Sequence, residues 1–156
     1  MPVKVKQIMQ EPAIVVGQDE TIDRVARAML EHQVTCVGVV DHDGRLVGVI
    51  REEEFGLKER HLPFSSEIAP QLFGQWVTPD RVEEDYAAVR TMTARQIMAS
   101  LESAAIGEDA RLSEALPALQ RGHSLLVARG ERAVGMLTRL DVLKLVSTGG
   151  TSGKVG

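Results

Sequence analysis

The 156-residue chain has a single cysteine, Cys36, which excludes an internal disulfide and any zinc site built on several thiolates. One cysteine set among Val34, Val37 and Val39 reads as a small buried hydrophobe and fits a reducing compartment. Aromatic residues are only 3% of the chain, so Val, Ile, Leu, Ala and Met must fill the core. No apolar run approaches the ~20 residues that cross a bilayer. The opening MPVKVKQIM lacks the apolar region of a secretory signal, so the expectation is a cytoplasmic protein with no membrane partner. Positive charge is in deficit: the net charge of −4 argues against a nucleic-acid-binding face. The sequence also lacks a Gly-rich phosphate loop, a G-x-S-x-G elbow and paired catalytic acids. His32, His42 and His61 are scattered without metal-ligand spacing, so neither a catalytic residue nor a metal ligand is expected.

What the chain does contain is an order of elements that occurs twice. VKQIM (Val5 to Met9) opens the first unit, and AIVV (Ala13 to Val16) reads as a short buried strand closed by Gly17. Asp19 or Thr21 then caps a helix with an apolar stripe of Ile22, Val25, Ala26, Met29 and Leu30. Cys36 to Val40 and Leu46 to Ile50 form a hairpin across Asp43-Gly44, and a polar helix is expected over Arg51 to Lys58. In the second unit ARQIM (Ala94 to Met98) echoes VKQIM, with Gln96 lying 89 positions after Gln7. Ser103 to Ile106 reads as the strand, and the helix stripe is Leu112, Ala115, Leu116 and Leu119. Ser124 to Ala128 and Ala133 to Leu137 make the hairpin. Pro117 falls within that helix and is tolerable there only close to the first turn. Gly122 suggests a tight helix end or a close backbone approach. One such unit leaves a sheet face uncovered, so two copies packed back to back are expected.

The second unit closes with GMLTRLD, Gly135 to Asp141. Thr138 suits a helix N-cap, and Asp141 falls in the first turn, where a carboxylate favours the helix dipole. The equivalent stretch of the first unit is GVIREEE, with Arg51 in place of the hydroxyl and Glu54 in place of the aspartate.

The doubled order resembles a tandem pair of cystathionine-β-synthase (CBS) domains, a Bateman module. The resemblance rests on V-x-x-I-M, the acid- or threonine-led helix, the hairpin with its acidic-glycine turn, and the closing G-h-h-T-x-x-D. It implies an α+β fold of two β-α-β-β-α repeats related by a pseudo-two-fold axis, with residues 1–60 as the first repeat and 94–148 as the second. It further implies a stand-alone regulatory module, not an enzyme, that needs no cofactor. An adenosine-containing ligand such as AMP, ADP, ATP or S-adenosylmethionine would bind between the repeats. By that resemblance Thr138 and Asp141 face phosphate and ribose, with Arg139 and Gly135 beside them. Ala104, Ala105 and Ile106 flank the adenine, and Leu125 and Leu126 cover it. His123 either faces phosphate near the cleft or is a loop histidine without a role, the latter being the favoured reading. A weaker second site would use Arg51, Glu54, Ile14 and Val15, with Arg51 either meeting a phosphate or pairing with Glu53 or Glu54. The family also implies a homodimer and an effector protein, here unknown. A ligand-independent dimerisation scaffold with degenerate sites is the competing reading.

Between the repeats, residues 61–93 carry three prolines and four of the five aromatics, Phe64, Phe73, Trp76 and Tyr86. A flexible linker does not concentrate aromatics in this way. The segment reads as a strap on the module's own surface, or as an interface element or lid; Val82, Tyr86, Val89 and Met92 share one side of a helix after Pro79. The tail, 149–156, is expected to be disordered.

Overall fold

The computed structural model describes residues 2–55, 87 and 89–147. Most of the intervening segment and the tail therefore lie outside the described residues, and with them the strap, interface and lid readings. Two sets of elements match the doubled order: β1 (Val15–Gly17), helix α1 (Ile22–His32), β2 (Cys36–Val40) and β3 (Leu46–Arg51) form the first. Two short helices follow, α2 (Ala94–Ile97) and α3 (Leu101–Ala104). The second set is β4 (Ala105–Gly107), α4 (Leu112–Gln120), β5 (Leu125–Arg129), β6 (Arg132–Leu137) and α5 (Arg139–Ser147). Each set makes a three-stranded sheet, β1-β2-β3 and β4-β5-β6, with the first pair parallel and the second antiparallel. Both hairpins carry a register shift at matching places, between Val39 and Val40 and between Val127 and Ala128. The α+β reading and the doubling hold.

Several local expectations are corrected. Ser103 and Ala104 belong to α3 instead of a strand, because Ser100 caps that turn by accepting from the Ser103 N–H at 3.3 Å. Of the polar helix expected over Arg51 to Lys58, the described part is a single 3-10 turn, Glu52–Glu54, capped at Phe55, and 56–58 lie outside the described residues. Thr21 is the N-cap of α1, but its side chain makes no capping bond. Leu30 is 79% exposed, so the buried face of α1 is Ile22, Val25 and Met29. Both long repeat helices end on a left-handed residue, Gln33 (φ 54°) after α1 and Gly122 (φ 86°) after α4. Glycine adopts that conformation without strain, so of the two readings of Gly122 the tight helix end is the one present, since a Cβ there would meet nothing within 4 Å.

The opening segments are exchanged. Val5 N–H donates to Ala110 O (2.9 Å), Lys6 N–H to Glu108 O (3.0 Å), and Leu112 N–H to Val3 O (2.8 Å), so VKQIM sits on the second repeat. The mirror set is Ala94 N–H to Glu20 O (2.8 Å), Arg95 N–H to Gln18 O (2.9 Å) and Ile22 N–H to Met92 O (2.8 Å). Val5 and Ile8 are accordingly buried with Leu119, Leu125 and Leu137, whereas Ala94 and Ile97 are buried with Val25, Val37 and Ile50. Val89 and Met92 join the first of these latter partners' core as well. A third cluster, including Cys36, Leu46, Val49, Leu126 and Met136, lies where the two sheets face each other. Full burial of a Val or Ile side chain is worth about 1.5–3 kcal/mol, so exchanging Val5, Ile8 and Ile97 ties each repeat to the other.

Burial also fixes the chemistry of Cys36. Its thiol is pushed up to about 12, chiefly by desolvation, with Arg51 opposing and Glu53 and Glu54 reinforcing the shift. A thiolate is the reactive species, so at pH 8 the native protein should react with a disulfide reagent at least ~100-fold slower than the denatured chain. Equal rates would mean that the third cluster opens on the timescale of the assay.

Pro117 lies in the second turn of α4, beyond the position where proline was expected to be tolerated, yet the helix continues to Gln120. Its ring is exposed and leaves the Ser113 carbonyl without the usual i+4 amide. An interior proline costs about 3 kcal/mol, offset by up to about 1 kcal/mol of unfolded-state entropy. Pro117→Ala should therefore stabilise the protein by about 2 kcal/mol, raising Tm by roughly 4–8 °C in a thermal melt. An unchanged Tm would show that α4 has already absorbed the missing bond.

Candidate functional site

The closing strand β6 buries Leu137 completely and then releases the chain into α5 at Thr138. Val142 and Leu145 hold one side of α5 on the second core, while Leu140, Leu143 and Val146 are 68%, 56% and 71% exposed. Between those two sides Asp141 is wholly buried. Its Oδ2 accepts from Thr138 N–H (2.8 Å) and from Thr138 Oγ1 (3.2 Å), so the threonine hydroxyl donates to the carboxylate rather than capping the helix itself. Gln10 Nε2 donates to both carboxylate oxygens (3.0 and 3.3 Å), and Lys144 Nζ lies 2.9 Å from Oδ1. Gln10 is held in turn by paired backbone bonds with Met136, of 2.8 and 3.0 Å. That pairing explains Gly135: a Cβ there would meet Gln10 O at 2.5 Å, so the glycine permits close backbone approach.

The pseudo-equivalent stretch of the first repeat is built on charge. Glu54 is fully buried and accepts from Arg51 N–H (3.1 Å) and Arg51 Nε (2.9 Å). Arg51 is itself buried and also pairs with Glu53 at 3.4 Å. Burial opposes the Arg51 charge, but the bond to Glu54 and the charges of Glu54 and Glu53 outweigh it and hold the guanidinium above its usual value. Of the two roles open to Arg51 in the sequence, the structure places it on Glu53 and Glu54. Glu53 continues the chain by contacting His123 Nδ1, which links the two repeats. Beside that link Thr35 Oγ1 and Ser124 Oγ, 89 positions apart, meet at 2.8 Å.

A groove of about 540 Å³ opens at this meeting of repeats. Gln33, Thr35 and Glu52 line it from the first repeat, and Gly122, His123, Ser124, Thr138 and Arg139 from the second; Gln10, Met136, Leu140 and Leu143 complete it. Its size is within the range that takes a nucleoside-sized ligand. Thr138, Arg139 and His123 are thus brought together. Asp141 lies behind Thr138 with its oxygens already engaged. Ala104, Leu125 and Leu126 are buried in the core, and Ala105 and Ile106 are partly buried; none of the five lines the groove. Arg51, Glu54, Ile14 and Val15 do not line it either, and Val15 is 46% exposed. Sequence reasoning missed Gln10, Gln33, Thr35, Glu52 and Ser124. The repeat offsets held a signal for two pairs: 89 relates Thr35 to Ser124, and 87 relates Glu52 to Arg139. Among the described residues, no group of three or more His, Cys, Asp or Glu side chains is placed to hold a metal ion, and no helix is long and apolar enough to cross a membrane.

Known proteins share the doubled fold. Residues 5–55 and 94–148 both match the model of the CBS domain family. The CBS domain of a CBS domain-containing membrane protein from Sphaerobacter thermophilus is 32% identical, with a TM-score of 0.64 over 92% of this chain and 88% of that one. The CBS-pair protein CBSX2 from Arabidopsis thaliana is 19% identical with a TM-score of 0.68, covering 95% and 96% of the two chains. The CBS domain pair of protein MJ0100, solved in complex with 5-methylthioadenosine and S-adenosyl-L-methionine, is 19% identical with a TM-score of 0.61, covering 94% and 98%. No curated protein matches the chain.

Proposed function

The chain belongs to the CBS domain family as a tandem pair, and from that premise we propose that it is a regulatory module binding an adenosine-containing ligand between its repeats, without catalysis. The observation that carries this reading is the groove, where Thr138, Arg139 and His123 of one repeat face Gln33 and Thr35 of the other. The first turn of α5 adds backbone N–H groups that favour a ligand anion. The ligands of the MJ0100 pair support an adenosyl class. Ligand seated there touches both repeats, so it favours whichever repeat arrangement binds it better, and only that difference in affinity can drive a response. AMP, ADP, ATP and S-adenosylmethionine are the candidates; the proposed working form is a cytoplasmic homodimer that signals to an effector protein.

The internal saturation of Asp141 and Glu54 favours a second reading, in which both closing motifs are structural and the pair is a ligand-independent scaffold. Thermal-shift titration with the four ligands separates the two. Binding at 100-fold excess over Kd should stabilise the protein by about 2.7 kcal/mol. An unmoved Tm with all four would leave the scaffold.

A further inference from the structure

The charges lining the groove have opposite signs at equivalent places in the two repeats. Arg139 follows Thr138 at the start of α5, and Glu52, 87 positions earlier, follows Arg51 in the same way. Both line the groove and both are exposed, with no hydrogen bond or ion pair between them. His123, the other titratable lining residue, already contacts Glu53. The groove therefore offers an anion-accepting group, Arg139 with the first N–H groups of α5, and a cation-accepting one, Glu52, whereas Glu53 is already held by Arg51 and His123. A nucleoside triphosphate would set several negative charges against Glu52.

We propose that the groove takes an adenosyl ligand whose charged end is a zwitterion or a cation, an S-adenosyl amino acid rather than a nucleoside polyphosphate, and that Glu52 sets this preference. The proposal rests on the ligand-binding reading above and narrows it. The amino acid carboxylate meets Arg139, and the ammonium or sulfonium centre meets Glu52. Glu52 is exposed and makes no side-chain bond that the fold uses, so its variants should fold.

Isothermal titration of the whole chain with S-adenosylmethionine, 5-methylthioadenosine, AMP and ATP tests it, with ATP run both with and without magnesium. S-adenosylmethionine should bind at least tenfold tighter than ATP in either condition. Glu52→Gln should weaken S-adenosylmethionine several-fold while leaving methylthioadenosine within about twofold, because only the former carries a charged end. Glu52→Lys should reverse the order of S-adenosylmethionine and ATP. If the wild type prefers ATP, or if Glu52→Lys leaves the order unchanged, the charge assignment is wrong while ligand binding stands. If none of the four binds, both this inference and the reading beneath it fall.

Discussion

Arg51→Ala is expected to destabilise the protein by about 3–5 kcal/mol, the scale on which removing one partner of a buried ion pair acts. The reason lies in Glu54, which is fully buried and loses its guanidinium. Taking a carboxylate out of water is costly, and Arg51 offsets that cost by donating to it from both backbone and side chain. At roughly 2–4 °C per kcal/mol for a chain of this size, Tm should fall by about 6–20 °C. The loss has a second source, since Arg51 also binds Glu53, whose carboxylate contacts His123 across the repeats. Two further variants separate these sources. The apolar pair Arg51→Met/Glu54→Leu removes both charges and keeps most of the volume, so it should recover most of the stability. Glu53→Ala removes only the partly exposed link and should cost about 1 kcal/mol or less. If the double variant is no more stable than Arg51→Ala, the penalty comes from lost packing and not from the broken ion pair.

The repeat was legible because its signals are local. Hydrophobic alternation and Asp43-Gly44 place the first hairpin, and the Gln7 to Gln96 spacing fixes the second copy. What spacing cannot carry is which partner covers a face. VKQIM shows that Val5 and Ile8 want burial, but its pattern is the same whether they pack on the first core or, as found, on the second. Leu30 matches the helical stripe of α1 yet lies 79% exposed, since periodicity marks a direction and not the edge of the contact. The site was legible to the same depth. The closing motif locates Thr138 and Arg139 at the groove because its helix start is local. It says nothing of Gln10, which reaches Asp141 from 131 positions away and occupies the oxygens that a ribose would need. Glu52 was hidden for a different reason: in EEE each carboxylate looks alike, and only folding sends Glu54 into the core and leaves Glu52 on the groove.

Asp141→Ala should cost about 2–4 kcal/mol, because hydrogen bonds to a charged group contribute about 1.5–3 kcal/mol each and their losses overlap. Four donor contacts disappear together: Thr138 N–H, Thr138 Oγ1, Gln10 Nε2 and Lys144 Nζ. The Lys144 contact contributes least, since its side chain is 56% exposed and screened by water. The contact with Gln10 matters most, because it ties the opening segment to the last helix across the whole fold. Gln10→Ala alone should cost about 1–2 kcal/mol, and Asp141→Asn should fall between wild type and alanine, as it still accepts from Thr138. A double-mutant cycle over Gln10→Ala and Asp141→Ala, read by denaturant unfolding, should give a coupling of about 1 kcal/mol or more. Residues so far apart in sequence can couple this strongly only by touching. Additive losses would mean that the two side chains stabilise their own ends separately, and that the opening segment is held by its backbone bonds and buried side chains without help from this contact.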